Sequence, residues 1–123
     1  MDKSARGRFG EEAAAEHLMQ KGYRIKETHF RAGRLGEIDI IAEKDEYICF
    51  VEVKTRSSCL YGTPSEAVNP AKQRKIKRVS LAYLNYKRID SPNIRFDVVE
   101  VYIKAEGEAL KVKDITHIEN AFC

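Results

Sequence analysis

An α/β domain, with a mixed β-sheet flanked by two helices, is predicted by three features of this 123-residue sequence. Two long segments place apolar residues at helical spacing and have recognisable ends. Five shorter ones are rich in β-branched and apolar residues. They follow one another as helix, three strands, helix, two strands, the pattern of an α/β layer fold. With 43% hydrophobic and 33% charged residues, the chain suits a single domain over 1–123 and is neither disordered nor fibrous in composition.

The first helix is expected over 4–21, ending at Gly22, a natural C-cap. Gly7, Gly10, Glu11, Ala14, Ala15 and Leu18 share one face, mostly small and suited to close packing on a sheet, with Glu11 a carboxylate in its midst. Phe9, Glu12 and Glu16 fall on the other side. A polar strand over 23–30 and a bend over 31–36 follow. Two strands over 37–43 and 47–55 then read as an antiparallel hairpin turning at Asp45-Glu46. After a loop over 56–62, Thr63-Pro64-Ser65-Glu66 has the form of a capping box opening a short helical turn. Asn69-Pro70 opens a second helix over 70–87, with Ile76, Val79, Ser80, Tyr83 and Leu84 as its buried stripe. Strands over 94–103 and 110–115, joined by a turn over 105–108, complete the order.

No apolar run approaches the roughly 20 residues that span a bilayer, and the amino end lacks the apolar stretch of a secretory signal. Cys49, Cys59 and Cys123 make no C-x-x-C pair, and His17, His29 and His117 are scattered singly. Reduced thiols in a cytoplasmic protein with no membrane partner are the expectation, rather than a disulfide framework or a zinc knuckle.

The hairpin carries the chemistry. A two-residue turn at Asp45 and Glu46 sets opposite each other residues whose numbers sum to 91. Asp39 then faces Glu52, Glu37 faces Lys54 and Ile41 faces Phe50, all six on one side of the sheet. Two carboxylates directly across a ladder repel. A divalent cation reverses the sign of that interaction, and Mg²⁺ favours one or two carboxylates with water and phosphate. Lys54 would project beside such a metal. Glu37 either pairs with Lys54 or adds to the acidic site.

Charge is uneven along the chain. From Lys54 to Asp90, nine Lys or Arg residues meet only Glu66 and Asp90, a local balance of +7, while the rest carries −4. No acid lies between Ala67 and Ile89 to pair with Lys72, Arg74, Lys75, Lys77 and Arg78. That helix face is either simply solvated or a contact for phosphates, and a polyanion partner is the expectation it raises. Tyr83 and Tyr86 read as core and rim aromatics. No motif for reading base sequence is present.

The ordered set of Glu11, Gly36-Glu37-Ile38-Asp39, Phe50-Val51-Glu52-Val53-Lys54-Thr55-Arg56 and a following basic helix resembles the PD-(D/E)XK nuclease superfamily. Within it the chain is similar to the small bacterial YraN-like family, and to the archaeal Holliday-junction resolvases. One departure is Ile38, where the superfamily often has proline. The resemblance implies a restriction-endonuclease-like fold and hydrolysis of DNA phosphodiesters, with structured or branched DNA as substrate. Under it Asp39, Glu52 and the Val53 carbonyl would hold Mg²⁺ or Mn²⁺, Lys54 would orient or activate the attacking water, and Glu11 would approach the metal from the helix. Lys72 and Gln73 are auxiliary candidates. Arg31, Arg34 and Arg56, placed on loops beside the hairpin, are candidates with Lys72 and Lys75 for gripping nucleic acid. Related resolvases act as dimers, which makes a homodimer an expectation by analogy. The rival expectation is a nucleic-acid-binding protein of the same fold whose catalysis is weak or needs a partner.

Overall fold

A computed structural model describes residues 3–57, 68–90 and 92–123. The expected α/β architecture is present: a five-stranded mixed sheet between two helices, consistent with a restriction-endonuclease-like fold. The elements are α1 (Lys3–Gln20), β1 (Arg24–Arg31), β2 (Glu37–Lys44), β3 (Tyr47–Arg56), α2 (Pro70–Tyr86), β4 (Asn93–Glu106) and β5 (Ala109–Phe122). Strands lie in sequence order, and only β3 and β4, joined through α2, run parallel. The capping box at Thr63–Glu66 lies outside the described residues. Among those described, no helix is long and apolar enough to cross a membrane.

Each helix buries one face of the sheet. Ala14 and Leu18 of α1 pack on Ile40, Val51, Val99 and Val101. Ile76, Val79, Tyr83 and Leu84 of α2 pack on Ile41, Phe50, Phe96 and Val98. The buried stripe of α2 is the expected one, and Asn69 caps it by accepting a hydrogen bond from Lys72 N at 2.9 Å. Phe9, expected on the outer side of α1, instead packs against the α1 core as a half-buried residue. Gly10 is required where α1 meets β3: a Cβ there would lie 1.8 Å from Thr55 Oγ1.

The hairpin follows the expected register from Lys44↔Tyr47 to Ile40↔Val51. Asp45 and Glu46 turn it at positive φ, 50° and 72°, the handedness that matches strand twist. β5 is much longer than the short strand expected over 110–115. Its exposed, polar residues hide it from a hydrophobic pattern, and its backbone pairing with β4, irregular at two points, carries it to Phe122.

Among the described residues three carboxylates are buried within the apolar layers. Asp97, fully buried, accepts hydrogen bonds from Arg95 Nη2 at 2.8 Å and Asn120 N at 2.9 Å, and lies 2.8 Å from His117 Nε2. Burial works to raise its pKa, but the hydrogen bonds from His117, Arg95 and Asn120 prevail and hold the carboxyl below its ordinary value. Glu100, 1% exposed, forms an ion pair with Arg56. This corrects the expectation for Arg56: it is the last residue of β3, not a loop residue, and its guanidinium is committed to Glu100. Glu52, the third, belongs to the candidate site. Cys49 is buried with its thiol pushed up to about 11 by burial and by Asp97, so it behaves as a core residue; Cys49 and Cys123 are free thiols.

Candidate functional site

The β2–β3 ladder stops at Ile40↔Val51, one step short of the expected Asp39–Glu52 pair. Where the register would bring Val53 against Ile38, the Val53 N–H donates instead to Asp39 Oδ2 at 2.8 Å. In an extended strand the N–H and C=O of one residue project toward the same edge. The Val53 carbonyl therefore faces the same gap as Asp39. β3 itself continues, paired with β4 as far as Arg56↔Tyr102.

The residues expected on one face do share the α2 side: Glu37, Asp39 and Glu52 line one cleft, Lys54 stands beside Lys72, and Ile41 and Phe50 pack with α2. The alternation behind that expectation fails at Ile38. Strict alternation would put Ile38 and Ile40 together, yet Ile38 packs with α2 and Ile40 with α1. The strand switches face at Asp39. As a result Asp39 lines a cleft of about 490 Å³ with Glu37, Glu52, Lys72 and Lys75 on the α2 side. It also lines one of about 250 Å³ with Glu11 and His29 on the α1 side.

Glu52 is 4% exposed. Burial and the Asp39 charge push its pKa up to about 7, against the opposing pull of Lys72. Asp39 is raised by burial, opposed by the Val53 hydrogen bond and Lys72. The ammonium of Lys72 lies 2.5 Å from Glu52 Oε1; its pKa is raised because the Glu52 and Asp39 charges outweigh its burial. Lys54 stands beside Lys72, and burial with that neighbouring charge lowers its pKa. The site thus holds two carboxylates that resist ionising and one lysine that resists charging.

Glu11 reaches the site from α1. Its pKa is raised by burial and by Asp39, and its Oε2 lies 2.7 Å from His29 Nε2. His29 Nδ1 lies 3.5 Å from Glu37 Oε1. Glu37 is therefore placed with His29, and the expected Glu37–Lys54 pair is absent because the ladder has already ended. His29 was missed by the sequence reading as one of three isolated histidines. Its backbone, at φ 53° for a non-glycine residue, is where β1 lies opposite Asp39, and no local pattern announces it.

Of the remaining candidates, Gln73 donates to the Val68 carbonyl at 3.0 Å and so helps hold the start of α2. Arg34 lies in the exposed turn after β1, and Arg31 is the last, exposed residue of that strand, so neither is among the buried site residues. Arg74, Lys75 and Arg78 are exposed along α2.

Among the described residues no group of three or more His, Cys, Asp or Glu side chains converges as a metal cage. Asp39 and Glu52, which line one cleft, and the Val53 carbonyl on the strand edge beside Asp39 are oxygen donors, not the nitrogen and sulfur set of a structural zinc site. They fit a hard cation such as Mg²⁺ or Mn²⁺ that keeps much of its water.

Fold and site together define a small α/β domain consistent with a restriction-endonuclease-like architecture, with half-buried Asp39 and buried Glu52 in a cleft that Lys72 and Lys75 also line. The pattern of the Uncharacterised protein family UPF0102 matches residues 10–101, and the chain belongs to that family. It is 53% identical over 121 residues to a UPF0102 protein of Acetivibrio thermocellus, covering 98% of this chain and 93% of the relative. A UPF0102 protein of Alkaliphilus oremlandii is 53% identical over 118 residues, 94% of this chain and 96% of the relative. One from Caldicellulosiruptor saccharolyticus is 47% identical over 122 residues, 99% and 100% of the two chains.

Proposed function

We propose that the protein is a metal-dependent nuclease of the PD-(D/E)XK type that hydrolyses phosphodiesters of structured or branched DNA. The observation that carries this reading is the Asp39–Glu52 pair, held at the end of a ladder with Lys54 and Lys72 beside it. Two acids facing one cleft burden the fold electrostatically, although one accepts from Val53 N and the other pairs with Lys72. Asp39, Glu52 and the Val53 carbonyl would hold Mg²⁺ or Mn²⁺, which when bound supplies polarisation of the phosphate and of the attacking water. Lys54, with its depressed pKa, is suited to exchange a proton at Nζ with that water or to offset charge on the phosphate. Glu11 approaches Asp39 from the other face. Exposed Lys75, Arg74 and Arg78 fit backbone phosphates, which position nucleic acid without reading its sequence.

A second reading is a binding protein of the same fold with weak or partner-dependent catalysis. It is favoured by the ion pair that already engages Glu52 with Lys72. The deciding experiment is cleavage of single-stranded, duplex, flapped and four-way-junction DNA with Mg²⁺ or Mn²⁺, with Glu52→Ala and Lys54→Ala in parallel. Metal-dependent cutting lost in both variants is the expected result. Salt-sensitive binding without cutting supports the second reading, and neither binding nor cutting removes both. Sedimentation of the free protein and of its DNA complex tests the homodimer.

A further inference from the structure

We propose that Lys72 is a tethered cation that takes the place of the metal between Asp39 and Glu52, so that metal entry must displace it. This rests on the proposed metal site and describes how that site is regulated. Three observations carry it. The ammonium lies 2.5 Å from Glu52 Oε1 and lines the same cleft as Asp39, so it stands with both carboxylates that would hold the metal. Among the described residues Glu52 has no other cation in ion-pair contact, and Asp39, which accepts from Val53 N, has none of its own.

The third observation is the position of Lys72 on its helix. It lies in the first turn of α2, three residues after the cap Asn69, in a turn that contains no acid. The N-terminal end of a helix carries partial positive charge and disfavours a cation within the first turn. The helix therefore does not hold this ammonium; the acid pair does. A divalent cation on the pair removes the attraction and leaves the helix field and the metal to repel Lys72. Freed, it stands on the same helix face as Lys75, three residues on and lining the same cleft. An arriving phosphate finds two ammonium groups there only after the metal is in place, so metal occupancy and phosphate contact are coupled.

Mn²⁺ titration calorimetry on the full chain tests this, comparing wild type with Lys72→Met, Lys72→Gln and Lys72→Arg. Removing the charge is expected to tighten Mn²⁺ binding by about tenfold, within the usual range of coupling between competing ligands. Gln and Met act alike, because charge and not hydrogen bonding competes, while Arg stays near wild type. Acetylation of Lys72, read by mass spectrometry, is expected to rise when Mn²⁺ is added to wild type, which needs no variant to fold. Unchanged or weaker affinity in Lys72→Met, with Mn²⁺ binding abolished in Asp39→Asn, overturns the tethered cation and leaves the metal site standing. Binding seen only once Lys72 is neutralised supports it. No Mn²⁺ binding in any form, or binding that survives Asp39→Asn with Glu52→Gln, removes the metal site and the proposal together.

Discussion

Replacing Gly10 by alanine adds one methyl group to α1 and is expected to destabilise the protein, while the same change at Gly7, one turn earlier, is expected to stabilise it. A Cβ on Gly7 meets nothing within 4 Å, so alanine there contributes only its helix preference, about 0.5–1 kcal/mol. A Cβ on Gly10 would stand 1.8 Å from Thr55 Oγ1, with Thr55 Cβ at 2.9 Å and Cγ2 at 3.0 Å. Threonine is branched at Cβ, so turning its side chain exchanges one clash for another. To reach even 3.0 Å the helix and β3 must part by about an ångström. Overpacking of that kind costs about 1–3 kcal/mol, and setting helix preference against it leaves a net loss of up to about 2.5 kcal/mol. Urea unfolding measures both variants. A cycle with Thr55→Gly, which takes away all three atoms, should restore the favourable sign and show a coupling of about 1–3 kcal/mol. Equal stabilisation by the two alanines, or a coupling near zero, refutes the close approach. Glu11 is the next residue, so the same displacement is expected to carry its carboxylate away from His29.

Asp97→Asn weakens a fully buried anion's contacts with Arg95 and His117, and a loss of about 3–5 kcal/mol by chemical denaturation is expected. Because the Asp97 pKa is depressed, its contribution is complete above the ordinary value of 3.8 and disappears as the pH falls through the depressed one; the variant should lack that limb of the pH–stability curve. Arg56→Ala leaves Glu100 buried without its ion-pair partner and is expected to cost a similar amount. The pair Arg56→Met with Glu100→Gln should recover most of that loss in thermal melts.

Much of this molecule was legible from local patterns. The Asp45-Glu46 turn fixes the hairpin register as far as Ile40 and Val51, and Asn69-Pro70 with helical spacing fixes the start and the inner stripe of α2. Extending the register to Asp39 and Glu52 failed by one step, since a side chain takes the Val53 N–H where the alternation rule assumes a backbone partner. His29 was invisible for a different reason: its contacts are with Glu11 and Glu37, distant in sequence, and a lone histidine carries no spacing. The length of β5 was hidden by its polarity, and Arg56 was misread because a strand can continue beside one neighbour after leaving the other.

The switch of face at Asp39 has a consequence for how the two layers communicate. A sheet ordinarily insulates the groups on its two sides, and a helix on one side has no polar business with a helix on the other. Here one carboxylate is open to both. A change in α1 that moves Glu11 alters the electrostatic balance felt by Lys72 on α2, through Asp39 and through the His29–Glu37 contact. The domain therefore has a polar conduit through its middle layer at Asp39, joining surfaces that a regular strand would keep apart.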